Sequence, residues 1–253
     1  MKKKNTKDIA VPRILSDDTP FAIREAFNLL RTNLMYTLSD STDGAPIYAV
    51  TSTTESAGKS TVIVNLAISF AQLNKKVLII DGDMRRPVIH TYLDIDSRVN
   101  GLSELISGIN NDVTIKNVRP NLDVITSGRI PPNPSELIIS PRFEEYLNAW
   151  KKEYDIIFID FPPIGIVTDA IANCKIVNGY IFVVRSGRCN AKSINACIES
   201  MEQVGAKIVG VVLNDYNIKG SSNYSRGNSR YSKQTISKYE TAAKQNSSKG
   251  SDK

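Results

Sequence analysis

The sequence is short of the residues on which several common kinds of site depend. Its 253 residues include three cysteines and a single histidine, His90. Cys174, Cys189 and Cys197 are odd in number and form no C-x-x-C pair, which indicates reduced thiols in a cytosolic compartment and no cysteine metal site. We interpret His90 as a packing or surface residue. Carboxylates, lysines, arginines and hydroxyl groups are left to carry any chemistry.

Long apolar runs are also missing. No stretch of about 18 apolar residues occurs, so the sequence predicts no membrane span. Residues 1–7 are basic but lead into no apolar segment, so we expect no signal peptide. Apolar residues make up 41% of the chain, which is enough for one substantial core. The short runs VLII, IIFI, YIFVV and IVGVVL are typical of strands buried on both faces.

Helical and strand patterns alternate along the chain. Helices are predicted over 20–37, 59–73, 135–152 and 190–204, with short helices around 86–107. Strands are predicted over 47–52, 76–81, 122–127, 155–160, 179–185 and 207–214. This alternation predicts an α/β fold with a doubly wound, mostly parallel sheet flanked by helices. We expect a flexible basic N-terminus (1–16), one folded domain (17–215) and a disordered basic tail (216–253).

Three polar segments follow three of the predicted strands. They are S-T-T-E-S-A-G-K-S-T (52–61), D-G-D-M-R-R (81–86) and D-F-P-P (160–163). Ligands of open parallel sheets bind outside the carboxyl ends of the strands. We therefore expect the three segments to converge on one site.

The first segment has the features of a phosphate-binding loop. A turn from a strand into a helix leaves backbone N–H groups unpaired, and the helix dipole favours an anion there. Lys59 can add a charge for the β- and γ-phosphates and Ser60 a hydroxyl for Mg²⁺, with Thr61 near the α-phosphate. The full pattern G-x-x-x-x-G-K-[ST] is not met, because Thr53 occupies its first glycine position.

The other two segments begin with carboxylates. Asp81 and Asp160 each close an apolar strand, where a charge is costly unless it reaches water, a metal or a partner. Asp160 is placed to hold Mg²⁺ through water. The alternative is that each aspartate caps the turn that follows it. Arg86 either contacts phosphate or caps the adjacent turn. Beside G-K-S-T, the two aspartates favour Mg-nucleotide chemistry.

Together these segments resemble the bacterial tyrosine kinases of capsule and exopolysaccharide assembly, P-loop proteins unrelated in fold to eukaryotic kinases. Further matches are N-G-L-S-E-L-I-S-G (100–108), S-G-x-x-P-P-N-P-S-E-L (127–137) and G-V-V-L-N (210–214). The resemblance covers roughly residues 17–215 and implies a P-loop NTPase-like sheet. It also implies ATP as donor, Mg²⁺ as cofactor, a protein tyrosine as acceptor and a ring-like homo-oligomer whose subunits phosphorylate one another's tails.

The resemblance further implies roles for individual residues. The implied nucleotide-binding residues are Ser56, Ala57, Gly58, Lys59, Ser60, Thr61 and Asn214. The implied metal-binding residues are Ser60, Asp81 and Asp160. The implied catalytic residues are Lys59, Asp81, Asp83, Arg85 and Asp160. Among these, Asp83 resembles the general base toward the tyrosine hydroxyl, and Arg85 resembles a phosphate-facing arginine.

Two departures from the family pattern affect these expectations. The family loop usually reads P-G-x-G-K-S, whereas Glu55 and Ser56 precede A-G-K-S here, adding a negative charge and removing a glycine. A catalytically weak ATP-binding assembly factor therefore stays open as an alternative. The family's subunit-contact helix carries E-x-x-R-x-x-R; Glu25 and Arg31 fit it, but Asn28 takes the middle position. We expect Glu25 and Arg31 to contact a neighbouring subunit.

The two ends of the chain are basic. Residues 1–13 carry a net charge of +4 and residues 216–253 a net charge of +6, so the part between them is acidic. No nucleic-acid motif accompanies these charges. An anionic membrane surface is a better candidate partner for the N-terminal lysines, and a solvated flexible end is the commoner meaning of such a run. The tail holds four of the chain's ten tyrosines, and the resemblance implies that they are autophosphorylation sites: Tyr216, Tyr224, Tyr231 and Tyr239.

The resemblance also implies partners and a location. A member of the family without its own membrane span is expected to need a separate transmembrane activator, a polysaccharide co-polymerase protein. A cognate tyrosine phosphatase is also expected. The protein would be cytoplasmic and recruited to the inner face of the membrane through its partner. A Min/Par-type ATPase switch is the other alternative, but the extra lysine of that class is replaced here by Thr54.

Overall fold

Seven strands form a single sheet at the centre of the computed structural model, which describes residues 14–37, 44–165 and 174–216. The strands are β1 (Ile47–Ser52), β2 (Val77–Asp81), β3 (Ile115–Arg119), β4 (Leu122–Ile125), β5 (Ile156–Asp160), β6 (Gly179–Arg185) and β7 (Ile208–Asn214). Their order across the sheet is β3-β4-β2-β5-β1-β6-β7. All neighbouring pairs are parallel except β3 and β4. The predicted mostly parallel α/β sheet is confirmed.

Helices cover both faces of this sheet. The described helices are α1 (Phe21–Thr37), α2 (Lys59–Ala71), α3 (Ile89–Tyr92), α4 (Leu102–Ser107), α5 (Pro134–Ile138), α6 (Pro141–Trp150) and α7 (Ala191–Gln203). One half of the core lies under α1, α2 and α3, and the other half lies under α4 to α7. Successive residues of β1 alternate between the two halves, as the period of a strand requires.

The pattern of apolar residues explains how α1 and α2 pack. On α1, Ile23, Phe27, Leu30 and Leu34 recur at helical spacing and pack against the core, while Leu29, Met35 and Tyr36 are exposed. Twelve of the thirteen residues of α2 are buried, because α2 lies between α1 and the sheet. The helix that begins at the phosphate loop is therefore held from both sides.

Several predicted boundaries are corrected by the structure. The predicted helix 135–152 is two helices, because Ser140 caps α6 by accepting a hydrogen bond from the Phe143 N–H and Pro141 begins the new helix. The antiparallel edge strand β3 was missed, since its sequence is polar and half exposed. The predicted flexible N-terminus extends too far: Leu15 is buried, and its N–H donates to Asn65 Oδ1 at 2.7 Å.

The prediction that IVGVVL is buried on both faces is wrong. This run is β7, which lies at one end of the sheet, and Val211 and Leu213 are about half exposed. The other three apolar runs belong to β2, β5 and β6 and are buried as predicted. Within the described ranges, no helix is both long enough and apolar enough to cross a membrane.

Candidate active site

The structure brings the three polar segments together at one edge of the sheet. β5 lies between β1 and β2, and Val50 and Asp81 are both register neighbours of Asp160. The phosphate loop at the end of β1, the segment that begins at Asp81 and the segment that begins at Asp160 are therefore adjacent. This convergence follows from the strand order, because parallel strands present their carboxyl ends at the same edge.

The phosphate loop has two residues in the left-handed conformation. Gly58 has a φ of 95°, and a Cβ atom at this position would lie 1.9 Å from Asn214 Nδ2, so only glycine fits. Ser56 has a φ of 56°, which costs a non-glycine residue on the order of 1 kcal/mol. The loop thus keeps a backbone shape suited to glycine although serine occupies position 56.

Side chains from β6 and β7 support this shape. Asn214 Nδ2 donates to the Ala57 carbonyl at 2.9 Å, and Arg185 Nη1 donates to the Ser56 carbonyl at 3.1 Å. Asn214, implied as a nucleotide contact, is thus placed against the backbone of the loop. Thr54 Oγ1 lies 3.6 Å from Cys189 Sγ. The sequence pattern gave no signal for Arg185, which was missed.

Lys59 and Ser60 connect the loop to the carboxylates of the other two segments. Lys59 Nζ lies 3.7 Å from Asp83 Oδ2, and both side chains are buried. The Ser60 hydroxyl donates to Asp160 Oδ2 at 2.5 Å. The second oxygen of that carboxylate, Asp160 Oδ1, is buried and finds no hydrogen-bond partner in the part of the chain that the structure describes. A buried, unpaired carboxylate oxygen beside a serine hydroxyl is a fitting ligand environment for a hard cation.

Asp81 and Asp83 shape the second segment. Asp81 is fully buried, and its two oxygens accept the N–H groups of Asp83 at 3.3 Å and Ile89 at 3.1 Å. Asp83 Oδ1 accepts the Arg86 N–H at 3.0 Å and keeps its other oxygen toward Lys59. The capping role weighed for Asp81 is therefore present, and it coexists with a place in the carboxylate cluster. Among the three carboxylates, Asp83 is the one that forms an ion pair with Lys59.

Burial raises the pKa of all three carboxyl groups. Desolvation raises the pKa of Asp160 to about 6, and the charge of Lys59 and the Ser60 hydrogen bond only partly oppose it. Desolvation, followed by repulsion from Asp160, raises the pKa of Asp81 well above its ordinary value. Desolvation also raises the pKa of Asp83, against the opposing charge of Lys59. The ionised form of each carboxyl group is therefore costly in this low-dielectric setting, and a bound cation would stabilise it.

The arginines of the second segment have different partners. Arg86 Nη1 forms an ion pair with Glu55 Oε2 of the phosphate loop, so the added charge of Glu55 is neutralised from the neighbouring segment. Arg85 Nη2 donates to Ser135 Oγ on α5 at 2.9 Å. Thr61, expected near the α-phosphate, is 2.9 Å from the hydroxyl of Tyr92 on α3. Neither the Glu55 pairing nor the Tyr92 contact was expected, since both join residues of separate segments.

The residues expected in subunit contacts lie on α1. Arg31 Nη1 donates to both the carbonyl oxygen and the hydroxyl of Ser69 on α2, at 2.8 and 2.7 Å. Glu25 accepts a hydrogen bond from Asn28 at 2.8 Å. Arg31 therefore joins α1 to α2 within one chain. Of the four tail tyrosines, Tyr216 is described and about half exposed just after β7. Tyr224, Tyr231 and Tyr239 lie outside the described residues.

A left-handed glycine loop that leads into a buried helix, with Lys59 and Ser60 at its head and aspartates on the neighbouring strands, defines a P-loop nucleotide-binding domain. The family model described as "AAA domain" matches residues 46–214. This range begins just before β1 and ends with β7.

Known proteins identify the branch of this class. The putative tyrosine-protein kinase CapB of Staphylococcus aureus is 37% identical over 227 residues, which cover 88% of this chain and 96% of that protein. The solved kinase domain of the Escherichia coli tyrosine kinase Etk superposes with a TM-score of 0.74 at 32% identity, covering 90% and 92% of the two chains. The solved chimerical protein CapA2B2 gives a TM-score of 0.71 at 38% identity, covering 78% and 85%. The chain belongs to the bacterial tyrosine-protein kinases.

Proposed function

We propose that this tyrosine kinase transfers the γ-phosphoryl group of Mg-ATP to tyrosines in residues 216–253 of a neighbouring copy of itself. The observation that carries the proposal is a pair of contacts between the phosphate loop and the other two segments. Lys59 forms an ion pair with Asp83, and Ser60 donates a hydrogen bond to Asp160. Nucleotide phosphates bound by the loop would meet a base and a metal ligand within the same small space.

The phosphate loop would bind the nucleotide. Backbone N–H groups of residues 56–61 and the start of α2 favour anionic phosphates, and Lys59 would turn from Asp83 toward the β- and γ-phosphates. Thr61 would approach the α-phosphate, and Arg85 would face transferred phosphate. Asn214 would support the loop from β7. Pairing of Glu55 with Arg86 argues against the weak-binding alternative, because the negative charge beside the phosphates is already neutralised.

The carboxylate cluster fits Mg²⁺. Ser60 and Asp160 offer oxygen ligands, directly or through water, and Asp81 is a further carboxyl group on the adjacent strand. Bound Mg²⁺ would neutralise the charge that develops on the phosphates. No group of three His, Cys, Asp or Glu side chains surrounds a common point within the described ranges. A magnesium ion that is held mainly by phosphates and waters does not require such a group.

Asp83 would act as the base toward the acceptor. A tyrosine hydroxyl has a pKa of about 10 and is barely ionised at neutral pH. Movement of Lys59 onto the phosphates would leave Asp83 Oδ2 able to orient this hydroxyl and accept its proton. Since burial raises the pKa of Asp83, the carboxylate is a stronger base than an exposed aspartate.

The proposed acceptors are Tyr216, Tyr224, Tyr231 and Tyr239. The net charge of +6 on residues 216–253 would attract the tail to the acidic folded part of another copy. Glu25 and Arg31 are proposed contacts of the ring-like oligomer that brings copies together. The Arg31 bond to Ser69 would hold α1 in position for that contact.

Regulation is proposed to involve other proteins. A transmembrane activator would recruit the kinase to the inner face of the membrane, and a cognate phosphatase would reset the tail. The solved relative CapA2B2 is a chimerical protein, which supports pairing of such kinases with a second protein. The proposed process is the synthesis and export of a capsular or other extracellular polysaccharide.

Incubation of the full chain with labelled ATP and Mg²⁺ tests the proposal. We expect phosphate on tail tyrosines of the wild type and of Lys75→Met, a control that removes an exposed lysine beyond α2. Lys59→Met and Asp83→Asn should each lose tail labelling, and Asp83→Asn should still bind ATP. Free phosphate without phosphotyrosine would favour the Min/Par-type ATPase, and no turnover would favour the assembly factor. Normal single-turnover transfer by Asp83→Asn would refute its role as base.

A further inference from the structure

The short helix α3 contacts two parts of the candidate active site, one at each of its ends. The N–H of Ile89, its first residue, donates to Asp81 Oδ2 at 3.1 Å. The hydroxyl of Tyr92, its last residue, lies 2.9 Å from Thr61 Oγ1. α3 therefore joins the second polar segment to α2, the helix that follows the phosphate loop. Tyr92 has no role in the transfer chemistry proposed for Lys59 and the carboxylates.

The packing around α3 fixes the position of the Tyr92 hydroxyl. Ile89 is fully buried, and the Tyr92 ring packs against the half of the core that lies under α1, α2 and α3. The Leu93 N–H closes the turn by donating to the Ile89 carbonyl at 3.3 Å. One end of α3 is thus held by the buried Asp81 carboxyl group and the other by the core. The Tyr92 hydroxyl is therefore preorganised toward Thr61.

Thr61 is the one residue of α2 that is not buried. It follows Lys59 and Ser60 in the first turn of the helix, where backbone N–H groups lack intrahelical acceptors and an anion is favoured. Its side chain is partly exposed, so a ligand on the phosphate loop can reach its hydroxyl. The direction in which this hydroxyl donates its proton therefore matters for binding.

The chemistry of the two hydroxyls favours donation from Tyr92 to Thr61. Each hydroxyl has one proton and two lone pairs, so either oxygen could be the donor. A phenolic hydroxyl is a stronger acid than an aliphatic one and is the better donor, whereas the aliphatic oxygen is the better acceptor. When Tyr92 donates, the proton of Thr61 is left for another acceptor.

The backbone acceptors that a helical threonine commonly uses are already occupied. Such a hydroxyl can donate to the carbonyl three or four residues earlier, which for Thr61 belongs to Gly58 or Ala57. The Gly58 carbonyl accepts the Val62 N–H at 2.9 Å, and the Ala57 carbonyl accepts Asn214 Nδ2 at 2.9 Å. A second donor at either oxygen would compete with bonds that shape the phosphate loop. The Thr61 proton is therefore available to a bound anion.

A hydroxyl held in one direction can distinguish the two nonbridging oxygens of a single phosphate group. These oxygens point to different sides of the phosphorus atom, so a fixed donor reaches one of them. The bond to a charged phosphate oxygen is stronger than a bond between neutral groups. It is strengthened further when the donor itself accepts a hydrogen bond, because bonds in a chain polarise one another.

We propose that Tyr92 is a positioning residue that directs the Thr61 hydroxyl toward one nonbridging oxygen of the nucleotide α-phosphate. The inference rests on the proposed function in one respect, namely that a nucleotide occupies the phosphate loop. Tyr92 acts through Thr61 and does not touch the nucleotide. Its effect therefore falls on the affinity for the nucleotide and on the choice between the α-oxygens.

Binding of ADP and of the two diastereomers of ADPαS to the full-length protein tests this proposal without phosphoryl transfer. In each diastereomer, sulfur replaces a different one of the two α-oxygens. Titration calorimetry at one fixed Mg²⁺ concentration gives each dissociation constant. The variants are Tyr92→Phe, which keeps the packed ring, Thr61→Val, Thr61→Ser and the double variant of Tyr92→Phe with Thr61→Val. The matched control is Tyr146→Phe, which removes a phenolic hydroxyl from α6 on the other half of the core.

We expect the wild type to bind one diastereomer about tenfold tighter than the other, because sulfur is a weak acceptor and the bond to oxygen is charge-assisted. Tyr92→Phe should weaken ADP binding by about 3-fold to 10-fold, the size of one net hydrogen bond, and should reduce the preference between diastereomers. Thr61→Val should remove the preference, and the double variant should match Thr61→Val alone, since the two side chains act as one unit. Thr61→Ser should keep the preference, and Tyr146→Phe should change neither quantity.

Two results would overturn the proposal while nucleotide binding stands. The first is a Tyr92→Phe variant that weakens ADP and both diastereomers equally, which would make the Tyr92 contact a packing contact between α2 and α3. The second is a wild type that binds ADP without any preference between diastereomers. A wild type that bound no ADP would instead refute the proposed function, and this inference with it.

Discussion

β5 and β7 have similar apolar sequences and opposite surroundings. β5 (I-I-F-I-D) lies near the middle of the sheet and is buried throughout, whereas in β7 (I-V-G-V-V-L-N) Val211 is 53% and Leu213 52% exposed. Composition therefore does not decide which strand is central. The difference arises because β5 has a strand on each side and helices on both faces, while β7 pairs only with β6 among the described strands.

The aspartates at the ends of these strands show the functional consequence. Asp160, which closes β5, is fully buried and its pKa is about 6 because of desolvation. Asp215, which follows β7, has a 60% exposed side chain and forms an ion pair with Arg185 at 2.9 Å. The centre of the sheet can hold a destabilising charge that a cation would stabilise. At the edge of the sheet, the charge of Asp215 is already stabilised by water and by its ion pair with Arg185.

The largest effect is expected when the same leucine-to-alanine substitution is made in a central strand and in the edge strand β7. Leu78→Ala in β2, where the side chain is fully buried, should lower the free energy of unfolding by about 2–5 kcal/mol, since it removes packed atoms and leaves a cavity. Leu213→Ala in β7 should cost less than about 1 kcal/mol, as a surface substitution does. Urea denaturation of nucleotide-free protein measures both. Equal losses would show that another element or another copy covers β7.

The second test changes the charge at the centre. Asp160→Asn should reduce phosphoryl transfer by about 100-fold or more, because it weakens the hold on Mg²⁺. It should also stabilise the nucleotide-free protein. The folded pKa of about 6 lies above the ordinary 3.8, so ionisation costs stability as pH rises from 3.8 to 6, and the full cost is present above 6. At 1.36 kcal/mol per pKa unit, this cost is at most about 3 kcal/mol.

Asp215→Asn is the matched control at the edge. An exposed ion pair contributes about 0–1 kcal/mol, so its free energy of unfolding should change little at pH 7.5. Thermal unfolding with and without Mg-ATP compares the two variants. If Asp160→Asn destabilised the nucleotide-free protein, Asp160 would be a structural residue rather than a charge held for a cation.

The position of the candidate site at the strand ends could be predicted from the sequence, whereas the exposure of β7, the strand β3 and the Glu55–Arg86 pair could not. The convergence of the three polar segments at one edge of the sheet was predicted correctly, because the topology of parallel strands alone brings their ends together. The exposure of β7 could not be predicted, since the order of strands across a sheet depends on the whole chain. β3 was missed because its sequence is polar and half exposed, and the structure shows that Asn117, with a φ of 52°, interrupts the strand. The Glu55–Arg86 pair joins two loops whose separation no local pattern encodes.

The third test uses pH to titrate the central charge. Below pH 6 Asp160 becomes protonated and should lose its hold on Mg²⁺, so the rate at subsaturating Mg-ATP should fall by about tenfold per pH unit. Raising the Mg²⁺ concentration should move this acid limb to lower pH, because the cation competes with the proton. Initial rates between pH 5 and 8 at two Mg²⁺ concentrations provide the measurement. If the acid limb of the pH–rate profile did not shift with Mg²⁺ concentration, it would report the protonation of another group, such as Asp83.

The smallest effects are expected where charges are exposed, as in the ion pair of Glu55 and Arg86, whose side chains are 43% and 70% exposed. Arg86→Gln should weaken ATP binding by a few-fold, because Glu55 then keeps an unneutralised charge beside the phosphates and exposed pairs contribute about 0–1 kcal/mol. Glu55→Gln should tighten ATP binding by a similar factor. The double variant should return close to the wild-type affinity, since both charges are gone.

Titration calorimetry at low and high salt measures all four proteins, and screening should reduce the differences at high salt. If Arg86→Gln lost binding by 100-fold in both backgrounds, Arg86 would contact the phosphates directly, and exposed charge at this edge would matter as much as the buried carboxylates do.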